Sequence, residues 1–111
     1  IGNLEEMNKQ LTASLKERLG ILVKPIPDLQ ASAYGLRSSG GVMIQWVDPN
    51  GPLGKIGFEV NDMILAVNGH PAKDVESFIS LVDSIPHGQT IVLIARDHRT
   101  GQEGSVQVKL G

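Results

Sequence analysis

Few side chains in this sequence stand where they could do covalent or acid–base chemistry. Ser38-Ser39-Gly40-Gly41 has the composition of a serine nucleophile turn. It lacks the glycine that should precede it and the Asp or Asn that should stand before the serine. A chain of 111 residues is also too short for the pair of β-barrels that such a nucleophile needs. The segment reads as a turn. His70, His87 and His98 fall in three separate predicted loops, and none has a second ligand four residues away, so no zinc site is expected. Each reads as a solvated loop histidine. Asp62 reads as a turn-stabilising carboxylate, and Asp97 opens a polar turn; neither is placed as a general acid or base. With no cysteine, disulfides and thiolate metal sites are excluded. The reading assigns no catalytic residue, no metal ligand and no cofactor. What remains is a binding chemistry. In Arg18-Leu19-Gly20-Ile21 a glycine sits between apolar residues at the mouth of a strand. Such a turn can aim successive backbone N–H groups at one point and hold an anion. A peptide carboxylate would fit, with Arg18 as a charge partner, and the strand that follows would offer its edge to the same peptide.

The rest of the chain must position that turn. Residues 3–18 are polar and helix-prone, with Leu4, Met7, Leu11 and Leu15 drawing a thin apolar stripe. Leu19 to Val23 is short, apolar and β-prone, closed off by Pro25 and Pro27; Pro27 suits the first turn of a helix over about 27–34 that stops at Gly35. Gly40-Gly41 opens a strand, Val42 to Val47, along which alternation puts Trp46 on the same face as Ile44. Both core packing and exposure stay open for this tryptophan. Asp48-Pro49-Asn50-Gly51-Pro52 is dense turn chemistry, and Leu53 to Ile56 can form one helical turn. Met63 to Val67 is an apolar strand followed by Asn68-Gly69, a strong hairpin signal. Asp74 can cap a helix through about Ile85, ended by Pro86 and Gly88. On that helix Val75, Ile79 and Val82 share one face, and Phe78 and Ile85 turn toward the core. Ile91 to Ala95 is a buried strand, Arg99-Thr100-Gly101 a turn, and Val106, Val108 and Leu110 alternate with polar residues as in a half-buried strand. The fold class is α+β, mostly β: a small, partly open antiparallel barrel of about five strands with two main helices, plus an N-terminal helix.

Composition bounds the partners. The formal net charge is −2, which implies no broad basic surface for nucleic acid. No stretch approaches the roughly 20 apolar residues that span a bilayer. The chain opens on Ile1 without a basic segment ahead of an apolar run, and it reads as a fragment of a longer protein.

Gly41 to Val47, then Asp48-Pro49-Asn50-Gly51-Pro52, then Gly57-Phe58-Glu59-Val60-Asn61-Asp62-Met63-Ile64-Leu65-Ala66-Val67-Asn68-Gly69, resembles the PDZ family. The match runs over residues 18–110, and the block from Asp62 to Gly69 is its most specific part. Two departures stand out. Asn61 takes the place of a glycine, and asparagine tolerates a positive φ better than most residues. Gly51-Pro52-Leu53-Gly54 replaces a Ser-Pro-Ala-Ala sequence, which is expected to loosen the first turn of the short helix. Within the family the chain looks most similar to the second PDZ domain of bacterial HtrA/Do-type serine proteases. Ile1-Gly2-Asn3-Leu4 resembles the end of a preceding PDZ domain, so residues 1–17 would be an interdomain linker and 18–111 the PDZ domain.

The resemblance implies a fold, a function and a site. Leu19, Gly20 and Ile21 would supply amides facing the carboxylate, and Leu19 and Ile21 would also wall the pocket for the ligand's last side chain. Ile21, Leu22 and Val23 would form the strand edge that pairs with the ligand. Val75, Ile79 and Val82 would form the opposite wall. Where many PDZ domains carry a histidine, Val75 implies an apolar choice at the third-last ligand residue. The implied function is a non-catalytic, regulatory peptide-binding module of a periplasmic or envelope serine protease. Its partners would be the C-terminal tails of unfolded or misassembled proteins, and the protease domain and neighbouring PDZ domain of its own parent. Assembly of the oligomer is the rival reading. A PDZ domain of another bacterial protease or of a secretion component is a third.

Overall fold

The computed structural model describes residues 18–33, 40–86 and 88–110. The linker over 1–17, the turn at Ser38-Ser39, the helix stop at Gly35 and His87 lie outside them. Among the described residues six strands and three helices follow in the order β1 (Ile21–Pro25), α1 (Asp28–Ala33), β2 (Val42–Val47), α2 (Pro52–Lys55), β3 (Met63–Val67), β4 (His70–Pro71), α3 (Val75–Asp83), β5 (Thr90–Arg96) and β6 (Glu103–Lys109). All pairings are antiparallel, along the path β1-β2-β3-β5-β6, with β4 added to β3. The fold is the open, mostly β arrangement expected. The strand beyond the expected five is β4, which the Asn68-Gly69 hairpin creates: Asn68 at φ 52 and Gly69 at φ 82 both take the positive φ that a type I′ turn requires. His70 therefore opens a short strand instead of lying in a loop.

The inner face of the sheet and α3 enclose the main core. Ile21, Val42, Ile44, Leu53, Ile64, Phe78, Ile91 and Leu93 are all fully buried there. Phe78 turns inward as its helical position dictates, and Ile85 packs half-buried beside it. A second, smaller cluster lies apart from the first. Met43 and Met63 face each other across β2 and β3, and Ile26 and Leu65 pack against them. β1 ends at Pro25, and Ile26 after it packs over β2 and β3.

Trp46 departs from simple alternation. Ile44 is fully buried whereas Trp46 is 39% exposed. The cause is a bulge: Leu22 pairs with Trp46 but Val23 pairs with Ile44, so Gln45 is an extra residue on β2. One inserted residue reverses the inward–outward sequence beyond it.

The short α2 is well formed despite its unusual sequence. Pro52 occupies its first turn. A Cβ on Gly54 would lie 2.1 Å from the carbonyl oxygen of Asp48. Gly54 therefore lets the helix seat directly on the turn before it, and the loosening expected from this substitution gives way to close backbone contact. Asn61 takes φ 81, the left-handed conformation anticipated for it.

Candidate functional site

β1 is an edge strand: it pairs with β2 on one side and with no other described strand. The orientation of its peptide groups follows from one hydrogen bond. The carbonyl of Gly20 accepts the N–H of Asp48 at 2.8 Å, so it points toward the end of β2. A trans peptide holds its C=O and N–H on opposite sides, so the N–H of Ile21 points away from β2, toward the free edge. Alternation along the strand gives Val23 the same outlook. Pro25 is the next residue in that series and has no N–H to give. The edge therefore presents two strand donors and then stops.

The turn before the strand is shaped by close backbone approach. Gly20 has φ 70, and a Cβ there would sit 3.1 Å from the Cα of Gly51. Gly51 meets Gly20 in the same way, at 3.2 Å. Two glycines face each other where the candidate carboxylate loop rests on the Asp48–Pro52 turn. That turn is braced from within, because the Asp48 carboxylate accepts the N–H of Asn50 at 2.9 Å. The supporting roles of Asp48, Gly51 and Gly54 were not assigned from sequence. The density of turn residues there was the only signal, and it does not say what the turn touches.

Helix α3 supplies the facing wall. Asp74 caps it, its carboxylate accepting the N–H of Ser77 at 2.8 Å. That backbone hydrogen bond holds the Asp74 carboxyl below its ordinary pKa of 3.8, with Lys73 adding a smaller Coulombic effect. Leu19, Ile21, Val23, Val75, Ile79 and Val82 belong to one apolar cluster, so the structure brings the sequence-predicted wall residues together. Their exposure is graded. Val75 and Val23 are half-buried, Ile79 is 7% exposed, and Val82, Leu19 and Ile21 are at 1% or less. Leu22, between two residues of the inner face, is half-buried on the strand's other side.

Arg18 takes a different place from the one expected. It is 5% exposed, and its two Nη groups donate to the main-chain carbonyls of Val82 and Ile85. The negative end of the helix macrodipole attracts the guanidinium there, where the Val82 carbonyl also accepts the N–H of Ile85 at 3.1 Å. Beside a ligand carboxylate is where the sequence suggested it would be; its observed hydrogen bonds go to the helix.

Asp62, Asp97 and His98 gather at turns. Asp62 is buried; its carboxylate accepts the N–H of Glu59 at 2.9 Å and that of His98 at 3.1 Å. His98 also brings its Nδ1 to 2.6 Å from the same carboxylate. It is thus a half-buried partner of Asp62 and not the solvated histidine expected. Asp97 lies alongside, all three ligand-type atoms falling within 4.8 Å of one another. The hydrogen bonds to main-chain N–H groups account for where Asp62 sits, since they join the β3 approach to the β5–β6 turn.

Comparison with known proteins agrees with this geometry. Residues 43–96 match the family model described as a PDZ domain. The serine endoprotease DegS of Escherichia coli K12 is 32% identical over 82 residues, which make up 73% of this chain and 23% of that protein. The chain spans about a fifth of the length of the curated relatives it matches. Among solved structures, the HtrA-type protease AlgW with a tripeptide superposes with a TM-score of 0.71 at 25% identity, covering 96% of this chain and 37% of that one. The HtrA3 PDZ domain bound to a phage-derived ligand superposes with a TM-score of 0.61 at 24% identity, covering 85% of this chain and 83% of that one. An edge strand facing an apolar helix wall, a glycine loop between them and these similarities lead to one assignment: the chain belongs to the PDZ family, as a non-catalytic binding domain with homology to the HtrA-type proteases.

Proposed function

We propose that this domain is the regulatory peptide-binding module of an envelope serine protease of the HtrA type, and that it recognises the C-terminal tails of unfolded or misassembled proteins. The ligand adds as a strand beside β1, its carboxylate held by the amides of Leu19, Gly20 and Ile21, its last side chain between Leu19 and Ile21 on one side and Ile79 and Val82 on the other. The observation that carries this reading is the outward N–H of Ile21 on an unpaired edge that faces α3. Val75 gives the groove no hydrogen-bonding side chain, so apolar residues are preferred at the last and third-last ligand positions. The similarity to DegS and to AlgW with its tripeptide supports a protease parent, and that to a probable periplasmic DegP-like serine endoprotease of Halomonas elongata, 26% identical over 93 residues, supports a periplasmic setting.

Exposed Trp46 on β2 favours a second reading, in which the domain joins copies of its parent. Titration with free-carboxylate peptides separates the two. Saturable binding, with amide shifts at Leu19 to Val23, supports peptide recognition. A folded domain that binds none of a diverse peptide set, and that self-associates with loss of Trp46 exposure, supports assembly.

A further inference from the structure

We propose that Arg18 is a latch that fixes the width of the terminal side-chain pocket, so that the domain selects a small or medium apolar residue at the ligand's end. The inference rests on the peptide-binding reading above and adds a residue that sets its specificity. Arg18 directly precedes Leu19-Gly20-Ile21, and its guanidinium crosses to the far end of α3, where it joins the carbonyls of Val82 and Ile85. One side chain thus ties the carboxylate loop to the opposite wall, and it does so beside Val82, which lines the pocket. The loop and the helix end cannot separate without breaking two charge-assisted hydrogen bonds in a buried setting.

The burial gradient along the groove has the form such a tie would produce. At the capped end of α3, remote from Arg18, Val75 is half-buried; Ile79 is 7% exposed; Val82, beside the guanidinium, is 1% exposed. The wall residues thus lose exposure toward the latch. The Nε of Arg18 is also buried and has no hydrogen-bond partner among the described residues. An unpaired interior N–H is unfavourable, and the two Nη hydrogen bonds offset it. What the position gains is the link between loop and helix. A large last side chain would have to push that link apart, whereas alanine or valine would not.

The test uses two variants. Arg18→Met keeps the stem and removes every donor; Arg18→Lys keeps the charge and one donor group. Peptides identical except for a last residue of Ala, Val, Leu or Phe are titrated against each protein. The expected result for Arg18→Met is a shift of at least fivefold in the Phe-to-Val affinity ratio toward Phe, with Arg18→Lys between it and the parent. An equal loss for all peptides would assign Arg18 a structural role only. A fall in the preference for acid over amide peptides, with the size ratio unchanged, would assign it to the ligand carboxylate. Either result overturns the proposal. Amide hydrogen exchange on the ligand-free domain tests the latch separately from peptide binding. In Arg18→Met, exchange at Ser84 and Ile85 should quicken together with exchange at Asp48, whose N–H donates to the Gly20 carbonyl of the loop, while Phe78 is unchanged. If the two regions respond independently there is no latch, even if peptides bind; if they respond together and no peptide binds, the latch stands and the peptide-binding reading fails.

Discussion

The two outer strands of the sheet, β1 and β6, have opposite characters. Each pairs with a single described strand. β6 presents Glu103, Gly104, Ser105, Gln107 and Lys109 to solvent, with Glu103 held near Arg96 at 3.5 Å. Ile56 and Phe58 share a shallow pocket with Gly104, Ser105 and Val106 of β6, whereas the longer α3 stands over β1. Charged and polar side chains on an edge discourage strand addition. β1 instead carries Ile21, Leu22 and Val23 and ends in Lys24 and Pro25, so only its first half is open to pairing. An unpaired edge is common to both; a receptive one needs an apolar wall, a glycine loop at its head and a stop at its tail.

The comparison can be broken most sharply at the ligand's carboxylate. Amidating a bound peptide should weaken binding by about 1.5–3 kcal/mol, the range for hydrogen bonds to charged groups. Calorimetric titration of matched acid and amide peptides measures this, and equal affinities would remove the loop from the site. Gly20→Ala should come next. A Cβ there meets Gly51 at 3.1 Å in a left-handed conformation, so a destabilisation of about 1–2 kcal/mol is expected, together with a loss of peptide affinity. Chemical denaturation and the same titration check both.

Asp74→Ala removes the cap of the groove helix and should lower the thermal midpoint. Because the folded pKa of Asp74 is depressed below 3.8, its contribution is present above that pH and is lost as pH falls through the lower, folded value. Melting curves should therefore differ between variant and parent near neutral pH and converge in acid. A difference that persists unchanged at pH 2 would contradict the cap's role. Ligand length should matter less. Peptides longer than four residues should gain no more than about twofold in affinity, because Pro25 ends the donor series. A truncation series from seven residues to three checks this, and a steady gain along it would mean that pairing runs past the proline. The smallest effect is expected on the other edge: Ser105→Lys on β6 should leave peptide affinity unchanged, and a measurable loss would mean that the ligand uses the wrong edge.

Much of this was legible in the sequence for a physical reason. Strands, turns and caps are local, so Asn68-Gly69, Asp74 and the glycine at position 20 announce themselves by residue type. Helical spacing put Val75, Ile79 and Val82 on one face, and the PDZ resemblance implied that this face walls a groove. What stayed hidden depends on partners distant in the chain. Arg18 lies 64 and 67 residues from the carbonyls it joins, and nothing near it in sequence tells that the helix end is within reach. His98 meets Asp62 across 36 residues in the same way. Trp46 was misaligned with Ile44 because a bulge at Gln45 leaves no mark in hydrophobic alternation; it is a property of the pairing with β1. Gly54 was taken for a weakness because a missing side chain looks like lost packing until the Asp48 carbonyl is seen in its place.

The small cluster on the outer face has a chemical consequence of its own. Met43 and Met63 are buried to 1% exposure or less, behind Ile26 and Leu65. Oxidation would turn each thioether into a polar sulfoxide that this pocket cannot solvate. Peroxide must therefore wait for Ile26 and its segment to lift. The rate at which these two sulfurs gain oxygen, read by mass spectrometry, is a clock for how often the strand beneath the ligand edge loosens from the side opposite the groove.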